Sequence, residues 1–120
     1  VSPEQARLFA RQWAEAWNRH DIEEVLVHFA EDVEFSSPLI ATVLPGGTGT
    51  VVGKAALRQY WCAGIDRFPD LRFDIVDVYF GVRALVIRYR NQLGRRVCEV
   101  LEFNTAGLVV RGFGCYEIGE

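Results

Sequence analysis

No apolar run in this 120-residue chain approaches the roughly 20 residues a bilayer-spanning helix needs, so such a helix is excluded. Lysine is nearly absent: Lys54 is the only one, and the arginines are scattered. With a net charge of -3 and no basic cluster, the sequence lacks the electrostatic footprint of a nucleic-acid or anionic-membrane partner. Cysteine is sparse too. The 3 cysteines, Cys62, Cys98 and Cys115, are odd in number and show no Cys-x-x-Cys spacing. They fit free, buried thiols in a reducing compartment better than a disulfide framework. His20 and His28 have no metal-ligand partner at suitable spacing, so no metal site is assigned. No signal peptide is visible, and a cytoplasmic location is expected.

One tempting motif also fails. Gly53-Lys54 follows Gly47 and Gly49 in a glycine-rich stretch. A phosphate-binding loop needs glycine, four residues, then Gly-Lys-Ser/Thr. Here the first position is Thr48 and Ala55 follows the lysine, so nucleotide binding is excluded.

What remains is the composition of one globular domain over 1–120. A chain of this length buries roughly two-thirds of its unfolded surface and needs no staple. Ser2-Pro3-Glu4-Gln5 has the form of a capping box, and Ala6, Phe9, Trp13, Ala16 and Trp17 recur at helical spacing to about Arg19. Asp21 to Glu24 opens a second, short helix with the stripe Ile22, Val25, Leu26 and Phe29. Asp32 to Ser37 alternates as a strand that Pro38 ends. Leu39 to Val52 is a long Gly/Thr/Pro-rich connection, a candidate mouth or flap, within which Ile40 to Leu44 reads as a short strand. Gly53 to Phe68 is a third helix, broken by Pro69-Asp70.

From Leu71 the pattern becomes strands: 71–80, 83–92, 95–105 and 108–118, joined at Gly81-Val82, Leu93-Gly94 and Ala106-Gly107. Short sequential turns imply an antiparallel meander, and helices first with strands later imply an α+β domain. On the third of these strands Val97, Glu99, Leu101 and Phe103 share one face. That face is apolar except for Glu99, a buried ion pair or the polar point of a pocket. The parity of the turn at Gly94 decides whether Arg88 lies opposite Glu99 or whether Ile87 or Tyr89 does. We read the face of Leu85, Ile87 and Tyr89 as inward. Asp77 is a weaker pocket candidate, and Glu102 and Glu117 are expected to face outward. Gly112 and Gly114 fall on one face with Tyr116 and leave either room for a ligand or freedom to curve.

Four stretches carry a resemblance: 17–23 (Trp-Asn-Arg-His-Asp-Ile-Glu), 29–35 (Phe-Ala-Glu-Asp-Val-Glu-Phe), 52–57 (Val-Gly-Lys-Ala-Ala-Leu), and 101–104 with 106–109 (Leu-Glu-Phe-Asn, Ala-Gly-Leu-Val). In this order they resemble the nuclear transport factor two-like superfamily, especially its SnoaL-like and ketosteroid isomerase-like branch. The resemblance spans nearly the whole chain. It implies a cone-shaped α+β domain, with three N-terminal helices packed on a strongly curved antiparallel sheet enclosing a cavity. It also implies a homodimer through the outer face of the sheet.

In ketosteroid isomerases an Asp base works with an oxyanion hole of Tyr and protonated Asp. Carried over, the base position falls on Ser37, the tyrosine on Trp13, and only Glu99 keeps a carboxyl, so that mechanism is not expected unchanged. Glu99 has three readings: general acid or base, anchor for a ligand without chemistry, or a structural charge paired with Arg88. The favoured function is acid/base chemistry on a small apolar or polycyclic molecule, by a cofactor-independent isomerase, cyclase or hydrolase. Glu99 would be its catalytic group, with Trp13, Trp17, Phe35, Ser37, Tyr60, Trp61, Leu101, Gly112 and Tyr116 shaping the site. For Trp13, Trp17, Tyr60 and Trp61 plain core packing is the preferred single role, with a cavity wall as the functional alternative. The rival is a non-catalytic binding or dimerisation module.

Overall fold

A computed structural model describes residues 1–119. The chain order is α1 (Pro3–Asn18), α2 (Ile22–Leu26), β1 (Phe29–Ser36), α3 (Ile40–Val43), β2 (Thr50–Val52) and α4 (Lys54–Arg67), followed by β3 (Asp74–Phe80), β4 (Ala84–Arg90), β5 (Arg96–Phe103) and β6 (Val109–Tyr116). The helices pack on one face of a curved, unclosed sheet of order β2-β1-β6-β5-β4-β3.

The first helix begins where its capping box places it. Ser2 Oγ accepts from Gln5 N–H at 3.1 Å, and Gln5 Oε1 accepts from Ser2 N–H at 2.8 Å. Its buried residues, Ala6, Ala10, Trp13, Ala14, Ala16 and Trp17, form one stripe. The alanines let the helix lie close to the sheet while the two indoles fill the space beyond them. In α2, Asp21 caps Glu24 N–H at 3.2 Å. Phe29, expected on its stripe, instead opens β1, still fully buried.

The end of the long connection, Thr50–Val52, is a short strand paired with β1, and two further features differ from expectation. Ile40 to Leu44 is not a strand: Ile40–Val43 forms a helical turn, with Ile40 buried and Val43 and Leu44 packed on the core. Their i, i+3 and i+4 spacing suits a helix as well as four apolar-rich residues suit a strand. The meander is antiparallel as read, but β1 lies parallel beside β6, with Phe35 opposite Gly112.

The parity at Gly94 is settled by a five-residue connection. Arg90 pairs with Arg96, and Asn91 Oδ1 accepts from the backbone of Leu93 and Arg95 at 3.0 and 3.1 Å. Ile87 therefore lies opposite Glu99. Leu85, Ile87 and Tyr89 are buried, so the apolar face is inward. Arg88 points to the other face and donates to Asp77 at 2.9 and 2.7 Å. The Arg88 guanidinium holds the Asp77 carboxyl below the ordinary carboxylate range. This removes both the Arg88–Glu99 pair and the Asp77 pocket candidate.

Candidate functional site

Among the described residues, Ser37 and Glu99 are the only buried polar or charged ones, at 6% and 5% exposure. Both face one recess between α1, α4 and the inner face of the sheet. The space in it open to the centre of a water-sized sphere is about 70 Å³. One water needs roughly 10–15 Å³ by this measure. The inner chamber thus has room for a few waters or one small ring.

Of the residues singled out in the sequence, the recess is lined by Trp17, Phe35, Ser37, Tyr60, Trp61, Glu99 and Tyr116. Trp13, Leu101 and Gly112 do not line it. Trp13 lies one layer deeper, stacked on Phe73 at 5.4 Å and edge-on to Tyr89 at 5.3 Å. Leu101 is fully buried in the core. Gly112 lies under Phe35, whose ring would stand 2.7 Å from an added Cβ. Gly112→Ala is expected to cost about 1–3 kcal/mol by overpacking, read as a lower urea midpoint at unchanged slope.

Gly114 does what Gly112 does not. It is the cross-strand partner of Glu99 and lines the recess. An added Cβ there would meet Ser37 Oγ at 3.1 Å and Glu99 Oε1 at 3.8 Å. The missing side chain is what lets Ser37 and Glu99 share one chamber.

Sequence reasoning missed Tyr89 and Phe73, both of which line the recess. Tyr89 is diagonal to Glu99 across β4 and β5, a spacing within reach of an aromatic side chain. Phe73 is placed by α1. Asn18 Nδ2 donates to Phe73 O at 3.0 Å, and Asn18 Oδ1 accepts from Phe73 N–H at 2.8 Å. His20 Nε2 lies 2.9 Å from Leu71 O. The Trp17-Asn18-Arg19-His20 stretch thus supplies one cavity wall, through Trp17, and clamps the segment that forms the next.

The electrostatics are dominated by burial. Burial pushes the Glu99 carboxyl up to about 8; the Tyr89 phenol beside it pulls weakly the other way. Among the described residues no cation pairs with it. Burial also raises the phenols of Tyr60, Tyr89 and Tyr116, and Ser37 favours the ionised forms of Tyr60 and Tyr116 only in part. Near neutral pH the recess therefore presents a mostly protonated carboxyl and three neutral phenols. No group of three or more potential metal ligands occurs among the described residues.

The family model for the SnoaL-like domain matches residues 10–119. The chain belongs to the SnoaL-like family. Among solved structures, this SnoaL-like domain is 34% identical to a SnoaL-like protein of unknown function from Burkholderia thailandensis, covering 98% of this chain and 99% of that one, with a TM-score of 0.91. A proposed isomerase of the SnoaL-like family from Agrobacterium tumefaciens shares 18% identity over 96% and 99% of the chains, with a TM-score of 0.76. A proposed ketosteroid isomerase from Kribbella flavida shares 23% over 98% and 81%, with a TM-score of 0.71. The last two establish likeness of fold alone. Among curated proteins, none matches this sequence.

Proposed function

We propose that this SnoaL-like domain catalyses a cofactor-independent proton transfer on a small, largely apolar ring compound bearing a carbonyl. The observation that carries this reading is Glu99, a carboxyl with no cationic partner among the described residues, facing a chamber walled mostly by aromatic rings. A base works best when its pKa lies near the working pH, and about 8 makes Glu99 a stronger base than an ordinary carboxylate. Its ionised form takes a proton from the carbon next to the carbonyl. The developing oxyanion accepts hydrogen bonds from the phenols, which stay neutral through the pH range where Glu99 titrates. Glu99, now protonated, returns the proton to the same carbon, giving exchange, or, where a C=C is conjugated with the enolate, to the γ carbon, giving an isomerisation with the double bond moved into conjugation. The chamber volume favours a single ring, or a flat ligand whose remainder reaches through the mouth, over a wholly enclosed polycycle.

A panel of small cyclic ketones and enones in D2O tests this without knowledge of the natural substrate. Proton NMR is expected to show enzyme-dependent loss of the α-proton signal. Glu99→Gln is expected to slow that exchange by about 10²- to 10⁴-fold, the usual worth of a positioned acid or base, while saturable binding persists. The wild-type exchange rate is expected to rise about tenfold per pH unit below pH 8 and to level above it, as the carboxylate form accumulates. Saturable binding without exchange would leave the domain a binding module.

A further inference from the structure

Cys98 and Cys115 are direct partners across β5 and β6. Their inward-facing neighbours are Glu99 and Gly114, so alternation turns both thiols to the outer face of the sheet. The cysteines are free but not the buried thiols expected: Cys62 and Cys115 are exposed and Cys98 is partly buried, and Cys98 and Cys115 line a shallow recess with Arg88, Arg96 and Glu117. Glu117 N–H donates to Arg96 O at 3.0 Å. That makes 96/117 a hydrogen-bonded pair, and the alternation of antiparallel ladders makes 98/115 another. Such pairs hold their Cα atoms about 5.5 Å apart, inside the roughly 4.4–6.8 Å that a disulfide spans. Their Cβ atoms stand roughly 1–2 Å farther apart than a relaxed disulfide wants.

We propose that Cys98 and Cys115 form a reversible cross-strand disulfide, a redox modification site on the outer face that acts on the cavity through the adjacent Glu99–Gly114 pair. The oxidant is a small-molecule disulfide such as glutathione disulfide. The Cys115 thiolate attacks one sulfur, the S–S bond breaks and a glutathione thiolate leaves. The Cys98 thiolate then attacks the Cys115 sulfur of the mixed disulfide and expels the second glutathione thiolate. The two protons lost by the protein thiols are taken up by these leaving thiolates. The chain is oxidised by two electrons and the glutathione disulfide is reduced to two glutathiones. Burial raises the Cys115 thiol, so oxidation quickens with rising pH. The mismatch in Cβ separation leaves the bond strained, and therefore easily reduced again. Drawing the outer face together at 98/115 also displaces the next pair, Glu99 and Gly114, which line the recess with Ser37.

The test uses the full chain carrying Cys62→Ser, so that only the pair remains. After glutathione disulfide and an acid quench, intact mass is expected to show loss of two hydrogens without added glutathione. Both thiols should lose reactivity with a maleimide, and mobility on a non-reducing gel should remain that of a single chain. Reduced glutathione should restore the mass. Cys98→Ser and Cys115→Ser, each on that background, should instead retain one bound glutathione. Disulfide-linked peptides from the oxidised wild-type chain give the same answer should those variants not fold. In a carbon-detected NMR spectrum, the Glu99 carboxyl resonance should shift on oxidation and return on reduction. A chain that only accumulates two bound glutathiones, or cross-links to a second chain, overturns the site. Oxidation with an unmoved Glu99 resonance overturns its action on the cavity.

Discussion

Glu99→Gln stabilises the folded chain at pH 8 to 9, even though it removes the group proposed to do the chemistry. The reason is linkage. The carboxyl is held protonated in the fold up to about 8, against an ordinary 4.5. Between these values the unfolded chain ionises Glu99 and the folded chain does not. The folded state then binds more protons, so stability falls as pH rises. The contribution of Glu99 is whole below about pH 4.5 and is lost by about pH 8. At about 1.4 kcal/mol per pH unit, the gap caps this loss at about 5 kcal/mol. Glutamine has nearly the same shape and no charge to bury, so the variant lacks this slope. Urea denaturation at pH 5, 7 and 9 should show wild type and variant close together at pH 5. At pH 9 the variant should be ahead by several kcal/mol. Parallel pH profiles would mean that Glu99 ionises in the fold as readily as in water.

Trp13→Ala should be the most damaging single truncation in the helical layer. Trp13 is 1% exposed and stacks on Phe73 while meeting Tyr89 edge-on. Removing a buried aromatic of this size typically costs about 3–5 kcal/mol, a large share of the roughly 5–15 kcal/mol by which domains are stable. Both ring partners line the recess, so the cavity wall loses its backing as well. Trp13→Phe should cost well under half as much. It keeps one ring and deletes an indole N–H that is buried without a hydrogen-bond partner, a group whose burial itself costs about 1–3 kcal/mol. Urea unfolding followed by far-UV circular dichroism separates the two. Equal losses would place the worth of Trp13 outside its ring contacts.

What could be read from the sequence was whatever is local and periodic. Ser2 and Gln5 mark the start of α1 because a capping box needs only four residues. Glu99 stood out because strand alternation puts it alone on an apolar face, and that inference requires no partner. Pairings between distant segments were not available. The parallel contact of β1 with β6 joins residues far apart in the chain, and nothing in either strand specifies it. Tyr89 was missed as a cavity residue because its position relative to Glu99 depends on the turn between β4 and β5. That turn has five residues, fixed by the Asn91 side chain. Trp13 and Trp17, one helical turn apart, read alike in sequence. Only their neighbours in the fold separate them: Trp13 packs on Phe73 and Tyr89 away from the recess, whereas Trp17 packs on Trp61 and Phe73 and lines it. Likewise, Gly112 and Gly114 are equivalent by alternation and differ by what lies over them, Phe35 of β1 in one case and Ser37, just past the end of β1, in the other.

The central claim is that Glu99 faces the chamber as an unpaired, desolvated carboxyl. Its ionisation in the folded chain tests this most directly. A carbon-detected NMR titration, with Glu99→Gln to assign the resonance, should give a midpoint near 8. A midpoint at or below the ordinary 4.5 would contradict the account, because it would mean that water or a cation reaches the carboxylate inside the fold.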